Sequence, residues 1–446
     1  MDTLSKKKSF FKLKENKTDV KTEIMAGITT FMAMAYILIV NPLTLKDAGM
    51  DFGAVFTATA LSAVIATLAM ALIANLPFAL APGMGLNAFF AYTVVLKMGY
   101  SWQFALTAVF LEGIIFLFLT FINVREAIIN SIPKNVKSSI SVGIGLFIAF
   151  IGLVNSGIVQ TGMFHVGNDQ LDGIPLKLGA ITNAGPLVAI IGIVITGILL
   201  AKNVKGALLI GILVSTVIGI PMGVTHVPEG FRFISAPPSL KPIMFQFVGF
   251  EEIFSIDMLL VLFTFLFVDM FDTVGTLVGV GTKAGMIDEN GKLPGAKQAL
   301  LADAIGTTAG ACLGTSTVTT FVESAAGVAE GGRTGLTALS AAGMFAISLF
   351  LSPLFIMIPS AATAPALILV GLFMMSPIKD IDFEDFTEAI PAFLTIIMMP
   401  LAYSISEGIA FGMISYVVLK LLTGKHKDVT PAMGIVAVLF LIKFMI

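Results

Sequence analysis

Residues 76–87 read LPFALAPGMGLN, and this stretch interrupts an apolar segment with two prolines and two glycines. Proline removes a backbone donor and glycine weakens a helix, so a regular helix cannot run through the stretch. Apolar runs of about 17 to 25 residues, long enough to cross a bilayer, lie on both sides of it. Non-helical backbone inside a membrane is tolerated only where it lines a cavity or is buried in protein. The stretch therefore predicts a broken membrane helix at a binding site.

The composition of the whole chain indicates a membrane protein. Of 446 residues, 57% are hydrophobic and 12% are charged, whereas soluble domains carry roughly 25% charged residues. This excludes an ordinary cytosolic enzyme, and the long apolar runs exclude a transmembrane β-barrel, whose strands alternate over about 10 residues. The single cysteine excludes an intramolecular disulfide, and the net charge of -2 gives no reason to expect a nucleic-acid partner. We expect an all-α polytopic protein of the plasma membrane.

Hydropathy predicts about fourteen transmembrane spans between residues 24 and 422. Most of the 26 basic residues fall in inner segments if the N-terminus is cytoplasmic, which is the orientation that the positive-inside rule favours. Residues 1–23 are then a basic cytoplasmic tail and not a signal peptide, because no cleavable apolar stretch follows them. Residues 424–446 form a final apolar segment of unknown placement, either a further span or a helix at the interface.

The two halves of the chain resemble each other. The triplet AGM at 48–50 recurs at 284–286, and the motifs IP at 132–133 and GLF at 145–147 recur at 358–359 and 371–373. Seven predicted spans separate the copies, and because seven is odd the second copy lies inverted in the membrane. An inverted repeat is typical of secondary transporters. We therefore predict a 7+7 inverted repeat.

A second break, GTSTVTTFVE at 314–323, is rich in β-branched residues, which favour an extended stretch over a helix. The spacing of the AGM triplets places Glu323 at the position of Asn87. Each residue is expected to begin a half-helix whose positive end faces the membrane centre. Two local alternatives exist: Thr320 and Glu323 match a capping box, and Asn87 matches a helix cap. The hydroxyls of this break could also satisfy freed backbone groups.

Carboxylates occur inside the predicted spans. Asp269, Asp272 and Thr276 share one face of the eighth span, and intramembrane acids usually face a cavity, an ion path or a partner. The alternative is a structural pair that binds helix ends. Glu112 and Asp303 lie in uninterrupted spans, so we expect structural roles for them. The three histidines have no metal-ligand spacing and no catalytic motif is present, so we expect no metal, no cofactor and no enzymatic activity.

Three segments carry a resemblance to a known family. APGMGLNAFF at 81–90, FVDMFDTVGT at 267–276, and GTST at 314–317 with GRTG at 332–335 resemble the signature segments of the AzgA-like purine permeases. These proteins are a branch of the nucleobase and ascorbate transporter superfamily. The resemblance covers residues 22–423, and the order of the three segments makes it specific.

The resemblance implies the fourteen-helix fold of uracil permease, with short strands in the broken spans 3 and 10. Residues 24–122 and 257–357, which hold spans 1–4 and 8–11, would form a core domain that carries the substrate. Residues 123–256 and 358–423 would form a gate domain, with Gly145 and Gly371 at matching points in it.

The resemblance also implies import of adenine, guanine or hypoxanthine, usually with protons. The family's binding positions fall on Asn87, Asp269, Asp272 and Glu323. The second break adds Thr315, Ser316 and Thr317. Phe271 of the eighth span, or else Phe321 or Phe89, could stack on the face of the purine. Any of the three acids Asp269, Asp272 and Glu323 could carry the proton.

The expected partners are a purine base, a proton and the lipid bilayer, and a homodimer is left open. The alternative function is an anion transporter or exchanger on the same fold, which the eighth-span aspartates oppose.

Overall fold

The computed structural model describes residues 10–121, 133–160, 163–166, 169–172, 176–228, 230–287 and 293–445. The helices in the first half are α1 Val20–Met34, α2 Ile37–Asp47, α3 Phe52–Ala69, α4 Met84–Ala88, α5 Trp102–Phe121, α6 Lys134–Asn155, α7 Ala184–Ala201 and α8 Ala207–Gly219. Those in the second half are α9 Phe250–Ile253, α10 Ile256–Lys283, α11 Ala296–Leu313, α12 Ser324–Ala329, α13 Gly335–Ser348, α14 Ser352–Ile356, α15 Ser360–Met374, α16 Phe386–Leu401, α17 Ile405–Leu422 and α18 Pro431–Met445. Two of these helices continue as π-helix, α3 over Met70–Ala74 and α4 over Phe89–Lys97.

Short strands accompany the helices. They are β1 Leu80–Pro82, β2 Val159–Gln160, β3 Met163–Val166, β4 Asp169–Asp172, β5 Lys177–Leu178 and β6 Val318–Thr320. β2 pairs with β5 and β3 pairs with β4, both antiparallel and local in the chain. β1 pairs with β6 across the two halves of the sequence. The strands predicted in spans 3 and 10 are therefore present, and they pair with each other.

Eight helical segments in the described ranges are long and apolar enough to cross a membrane. Four shorter apolar helices lie at Met84–Lys97, Ala207–Gly219, Phe386–Leu401 and Met433–Ile442. The chain is thus a polytopic helical membrane protein. The number fourteen and the inverted orientation of the second half stay predictions.

The C-terminal segment is placed by aromatic contacts. The ring of Phe440 on α18 lies 5.7 Å from that of Phe263 on α10, and the ring of Phe444 lies 5.5 Å from that of Phe411 on α17. Phe440 is buried while Ile435 and Val438 on the same helix are exposed. The segment that hydropathy could not place is a helix packed on α10 and α17.

The long helices pack in two groups. In one group α1 packs on α13, α3 on α11 and α13, and α5 on α11. In the other α6 packs on α15 and α16, α16 on α17, and α7 and α8 on α15. The division into core and gate domains stays a prediction, and this packing is compatible with it.

Two glycines that the repeat relates to each other are in contact. A Cβ on Gly371 would lie 2.4 Å from the carbonyl oxygen of Gly145, and a Cβ on Gly145 would lie 2.6 Å from that of Gly371. Only residues without a side chain allow the two backbones to approach so closely. The predicted pair therefore marks the crossing of α6 and α15.

A buried carboxylate caps α13 from another helix. Glu23 of α1 is fully buried and accepts hydrogen bonds from the backbone N–H groups of Arg333, Thr334 and Thr337 at 2.9, 3.3 and 3.1 Å. The hydroxyl of Thr337 donates to it at 2.6 Å. A carboxylate at this position satisfies helix N-terminal donors and balances the positive end of the helix dipole.

We expect Glu23→Gln to destabilise the fold by about 1 to 3 kcal/mol, because the new amide N–H₂ group opposes buried donors. Thermal unfolding in detergent measures the effect as a lower midpoint. Glu384→Gln is the matched control, since Glu384 is exposed and such changes usually stay within about 0.5 kcal/mol. Equal midpoints for Glu23→Gln and wild type would contradict the capping role.

Candidate functional site

The two broken segments meet in a two-stranded antiparallel sheet. The register pairs Leu80 with Thr320, Ala81 with Thr319 and Pro82 with Val318, and all of these residues are buried. Two further bonds extend the pairing: Phe321 N donates to Ala79 O at 3.0 Å and Gly83 N to Thr317 O at 2.9 Å. The non-helical backbone of each half is therefore satisfied by the other half, which membrane burial requires.

A threonine hydroxyl from a neighbouring helix forms hydrogen bonds with the backbone at the outer edge of each strand. The hydroxyl of Thr67 on α3 accepts from Leu80 N at 3.0 Å and donates to Leu80 O at 3.1 Å. The hydroxyl of Thr307 on α11 accepts from Val318 N at 3.3 Å and donates to Val318 O at 2.9 Å. Both side chains are fully buried. Sequence analysis missed this pair, whose only signal is a threonine in the helix before each break.

Asn87 lies inside α4 and does not begin it, so the prediction that it starts or caps a half-helix is wrong. It is buried, and its side-chain oxygen accepts a hydrogen bond from the hydroxyl of Ser316. Its Nδ2 group is buried with no hydrogen-bond partner among the described residues. An unpaired buried donor costs about 1 to 3 kcal/mol, which makes this amide a candidate for pairing with an acceptor of a bound molecule.

Glu323 lies at the start of α12, as predicted, but does not act as the glutamate of a capping box. Its Oε1 atom accepts a hydrogen bond from the phenol of Tyr36 at 2.6 Å. The hydroxyl of Thr320, the other member of the expected box, is buried without a partner in the described part of the chain. The carboxylate therefore binds a side chain 287 positions away, besides an interaction with its own backbone N–H, and does not form the capping box with Thr320.

The eighth-span acids lie in different surroundings. Asp269 is fully buried, and its Oδ1 atom is 3.1 Å from the hydroxyl of Thr273. The same hydroxyl is 2.8 Å from Oδ1 of Asp303 and 2.7 Å from the hydroxyl of Thr319 on β6. Asp269 thus belongs to the polar network that supports β6. Asp303, which we expected to be structural, is part of that network.

Asp272 faces the point where β1 turns into α4. A Cβ on Gly83 would lie 3.6 Å from Oδ2 of Asp272 and 2.5 Å from Cγ2 of Thr319. The close approach to the Thr319 methyl group is what leaves no room for a side chain at Gly83, whereas the separation from the carboxylate is an ordinary van der Waals contact. Asp272 is partly exposed and lies within electrostatic reach of the Asp303 and Glu323 carboxyls. Phe271 belongs to α10, and its side chain lies outside the described residues.

Two of the predicted hydroxyls bind neighbouring helices. Thr315 accepts from Nδ2 of Asn41 at 2.8 Å, and that amide also donates to Thr59 at 2.7 Å. Thr317 donates to Oε2 of Glu112 at 2.5 Å. Glu112, which lies in an uninterrupted helix and was expected to be structural, therefore contacts the second break. Sequence analysis missed Asn41, because an asparagine within an apolar helix carries no motif.

The site thus combines acceptors and a donor within one buried junction. Glu323 and Asp272 present carboxylate oxygens, which accept hydrogen bonds only when ionised, and Asn87 presents an amide N–H₂. All three lie where β1, β6, α4, α10 and α12 converge. Such a junction can bind a planar polar molecule that carries both donors and acceptors.

Comparison with known proteins places the chain among transporters. Residues 21–411 match a family described as the Permease family. A putative permease of Methanocaldococcus jannaschii is 48% identical, over 98% of this chain and 97% of that protein. The adenine permease AdeP of Escherichia coli is 45% identical over 97% and 94% of the two chains. The guanine/hypoxanthine permease PbuG of Bacillus subtilis is 46% identical over 98% and 99%.

Solved structures with the same fold are more distant in sequence. The transmembrane domain of the cyanobacterial bicarbonate transporter BicA superposes with a TM-score of 0.63 at 15% identity, covering 89% of this chain and 97% of that one. The anion transporter Slc26a9 of mouse in its inward-facing state gives 0.62 at 12% identity, over 91% and 68%. At such low identity these likenesses concern the fold alone.

Proposed function

The chain belongs to the Permease family, and on that premise we propose that it imports purine nucleobases across the plasma membrane. Its N-terminus would lie in the cytoplasm. The substrate would be adenine, guanine or hypoxanthine. These are the bases in the names of relatives that are 44% to 46% identical to this chain. The observation that carries the proposal is that the buried Asn87 amide, which has no partner among the described residues, and the Glu323 and Asp272 carboxyl groups all belong to the junction of the two breaks.

The chemistry of a purine matches this set of groups. A purine carries ring and exocyclic N–H donors, which the carboxylates of Glu323 and Asp272 accept. Its ring nitrogens and carbonyl accept from the Asn87 amide, which removes the cost of leaving that donor unpaired. Ser316 and Thr317 position Asn87 and the second break through the bonds described above. Asp269 and Thr315 contribute through the networks that hold the strands.

The alternative is an anion transporter, the function named for the structural neighbours BicA and Slc26a9. A binding site for an anion needs donors or a cation at the break, because a carboxylate repels negative charge. Here Glu323 and Asp272 face the break. This favours a neutral base that offers N–H donors over an anion.

We further propose alternating access, in which the group of helices that holds the site moves against the group around α6 and α15. Two ion pairs join these groups in the present conformation. Lys97 Nζ lies 2.7 Å from Glu407 Oε1, on the side predicted to be outer. Lys205 Nζ lies 2.5 Å from Glu330 Oε2, on the side predicted to be inner. Both pairs are partly exposed, so each contributes little to stability and can open.

We expect uptake of radiolabelled adenine, guanine or hypoxanthine, but not of uracil or sulfate, in transporter-deficient cells that express the protein. Because the intramembrane acids offer sites for a proton, uptake should collapse with a protonophore and persist when choline replaces sodium. Sulfate uptake without purine uptake would establish the anion alternative. Sodium dependence with insensitivity to the protonophore would refute proton coupling but not purine transport.

A further inference from the structure

The first predicted span is interrupted at a residue that reaches the site. α1 ends at Met34 and α2 begins at Ile37, so Tyr36 lies at the interruption. Its side chain is almost fully buried, and its phenol donates to Oε1 of Glu323 at 2.6 Å. The ring lies 6.4 Å from that of Phe321 at an angle of 45°. A residue of the first span thus contacts both the end of the second break and its carboxylate.

This hydrogen bond has the geometry of a strong one. An O–H···O⁻ bond to a carboxylate is typically about 2.5 to 2.7 Å long and roughly twice as strong as a bond between neutral groups. The phenol has a single proton and donates it to Oε1, so this bond fixes the orientation of the carboxylate plane. Glu323 remains partly exposed as a residue, and besides the Tyr36 phenol its carboxyl group is met by its own backbone N–H, so a substrate donor would complete its set of hydrogen bonds.

We propose that Tyr36 is a positioning residue for substrate binding, which holds the Glu323 carboxylate so that Oε2 accepts from an N–H group of the purine. The inference rests on the proposed function, because it assigns Tyr36 a role through Glu323. Tyr36 acts by fixing the rotamer of Glu323 before the substrate arrives, and so lowers the entropic cost of binding. Without the phenol the Glu323 carboxylate can rotate. Binding of the substrate must then also order this carboxylate.

The chain contains a matched pair for comparison. Tyr416 on α17 donates to Oε1 of Glu388 on α16 at 3.4 Å, a longer contact between the same residue types. Glu388 also lies 2.7 Å from Lys420 Nζ, and this pair belongs to the other group of helices. Tyr416→Phe therefore removes a phenol from a buried tyrosine without touching the site.

The test measures the dissociation constant of a radiolabelled purine with the purified full-length protein in detergent. We expect Tyr36→Phe to raise it by up to about tenfold, since binding must then order the freed Glu323 side chain at a cost of up to about 1.4 kcal/mol, which corresponds to a factor of ten. In transport, KM should rise while the maximal rate changes little. Tyr416→Phe should bind within twofold of wild type. Thermal unfolding of each variant ensures that folded proteins are compared.

A double-mutant cycle separates positioning from other effects. In the Glu323→Gln background, Tyr36→Phe should cause less than a twofold further loss, because the group that it positions is already altered. An equal loss in both backgrounds, or wild-type affinity of Tyr36→Phe, would overturn the inference. If Tyr36→Phe does not fold, Tyr36→Met, which also lacks a side-chain N–H or O–H donor and adapts to a buried space, replaces it in the same cycle.

The two proposals fail differently. Unchanged affinity of Glu323→Gln would refute the assignment of Glu323 to the site, and with it the proposed role of Tyr36. Weakened binding by Glu323→Gln together with unchanged binding by Tyr36→Phe would refute the role of Tyr36 alone and leave the proposed function intact.

Discussion

Glu323→Gln is expected to weaken binding of the transported purine by about 5- to 150-fold. The amide replaces one acceptor oxygen with a donor, and a mispaired buried group costs about 1 to 3 kcal/mol. The loss should be large because Oε1 is already engaged by Tyr36 at 2.6 Å. If the amide oxygen takes the place of Oε1 and accepts from the phenol, the N–H₂ group opposes the purine N–H, and in the flipped orientation the N–H₂ group opposes the phenol. A helix-capping role would predict near-normal binding, and the structure forms no capping box at Thr320 among the residues it describes.

Equilibrium binding of a labelled purine to purified protein measures this change. Asp272→Asn should behave similarly, since its carboxylate lies beside the Gly83 turn of the same junction. Glu388→Gln is the control, because Glu388 forms the second tyrosine–glutamate pair outside the site. Glu112 is unsuitable as a control because it binds Thr317. Wild-type affinity of Glu323→Gln would remove this residue from the site and leave Asn87, Asp269 and Asp272 to form it.

Joining Lys205 to Glu330 covalently is expected to abolish uptake. The two side chains connect the loop between α7 and α8 with the end of α12, and their charged atoms are 2.5 Å apart. Alternating access requires the two groups of helices to move relative to each other, so a bond between them stops the cycle in one conformation. Lys205→Cys and Glu330→Cys, in a Cys312→Ser background that removes the single native cysteine, are joined by a bifunctional thiol reagent with a reducible linker, whose length replaces that of the two original side chains.

The control joins two helices of the same group. Ser340 on α13 donates to the carbonyl oxygen of Ile24 on α1 at 3.0 Å, near the surface, so Ile24→Cys with Ser340→Cys crosslinks α1 to α13. Uptake in proteoliposomes should persist in this variant. Reduction of the Lys205–Glu330 crosslink should restore uptake in the first variant. Full uptake while that crosslink is intact would show that the two groups do not need to move.

The positions of the breaks were predictable from residue types. The prolines and glycines at 76–87 and the β-branched run at 314–323 exclude helix locally, and β1 and β6 lie within these stretches. The equivalence of Asn87 and Glu323 was less exact. Val318 begins β6 238 positions after Leu80 begins β1, whereas the AGM triplets are separated by 236. The stretch between strand and helix is shorter in the first break, residue 83, than in the second, residues 321–323. Asn87 therefore falls inside its helix, whereas Glu323 lies at the start of its own.

By itself the sequence determined the membrane class, the positions of the helices and breaks, and the family. Hydropathy and backbone preference are properties of neighbouring residues, so they can be read without a structure. Only the tertiary structure decided which groups meet: Thr67 and Thr307 with the strand edges, Glu112 with Thr317, and Tyr36 with Glu323. These contacts depend on hydrogen-bond distances of about 2.5 to 3.2 Å. Two of them, Glu112 with Thr317 and Tyr36 with Glu323, join residues more than 200 positions apart, and no local pattern specifies a distance between such groups.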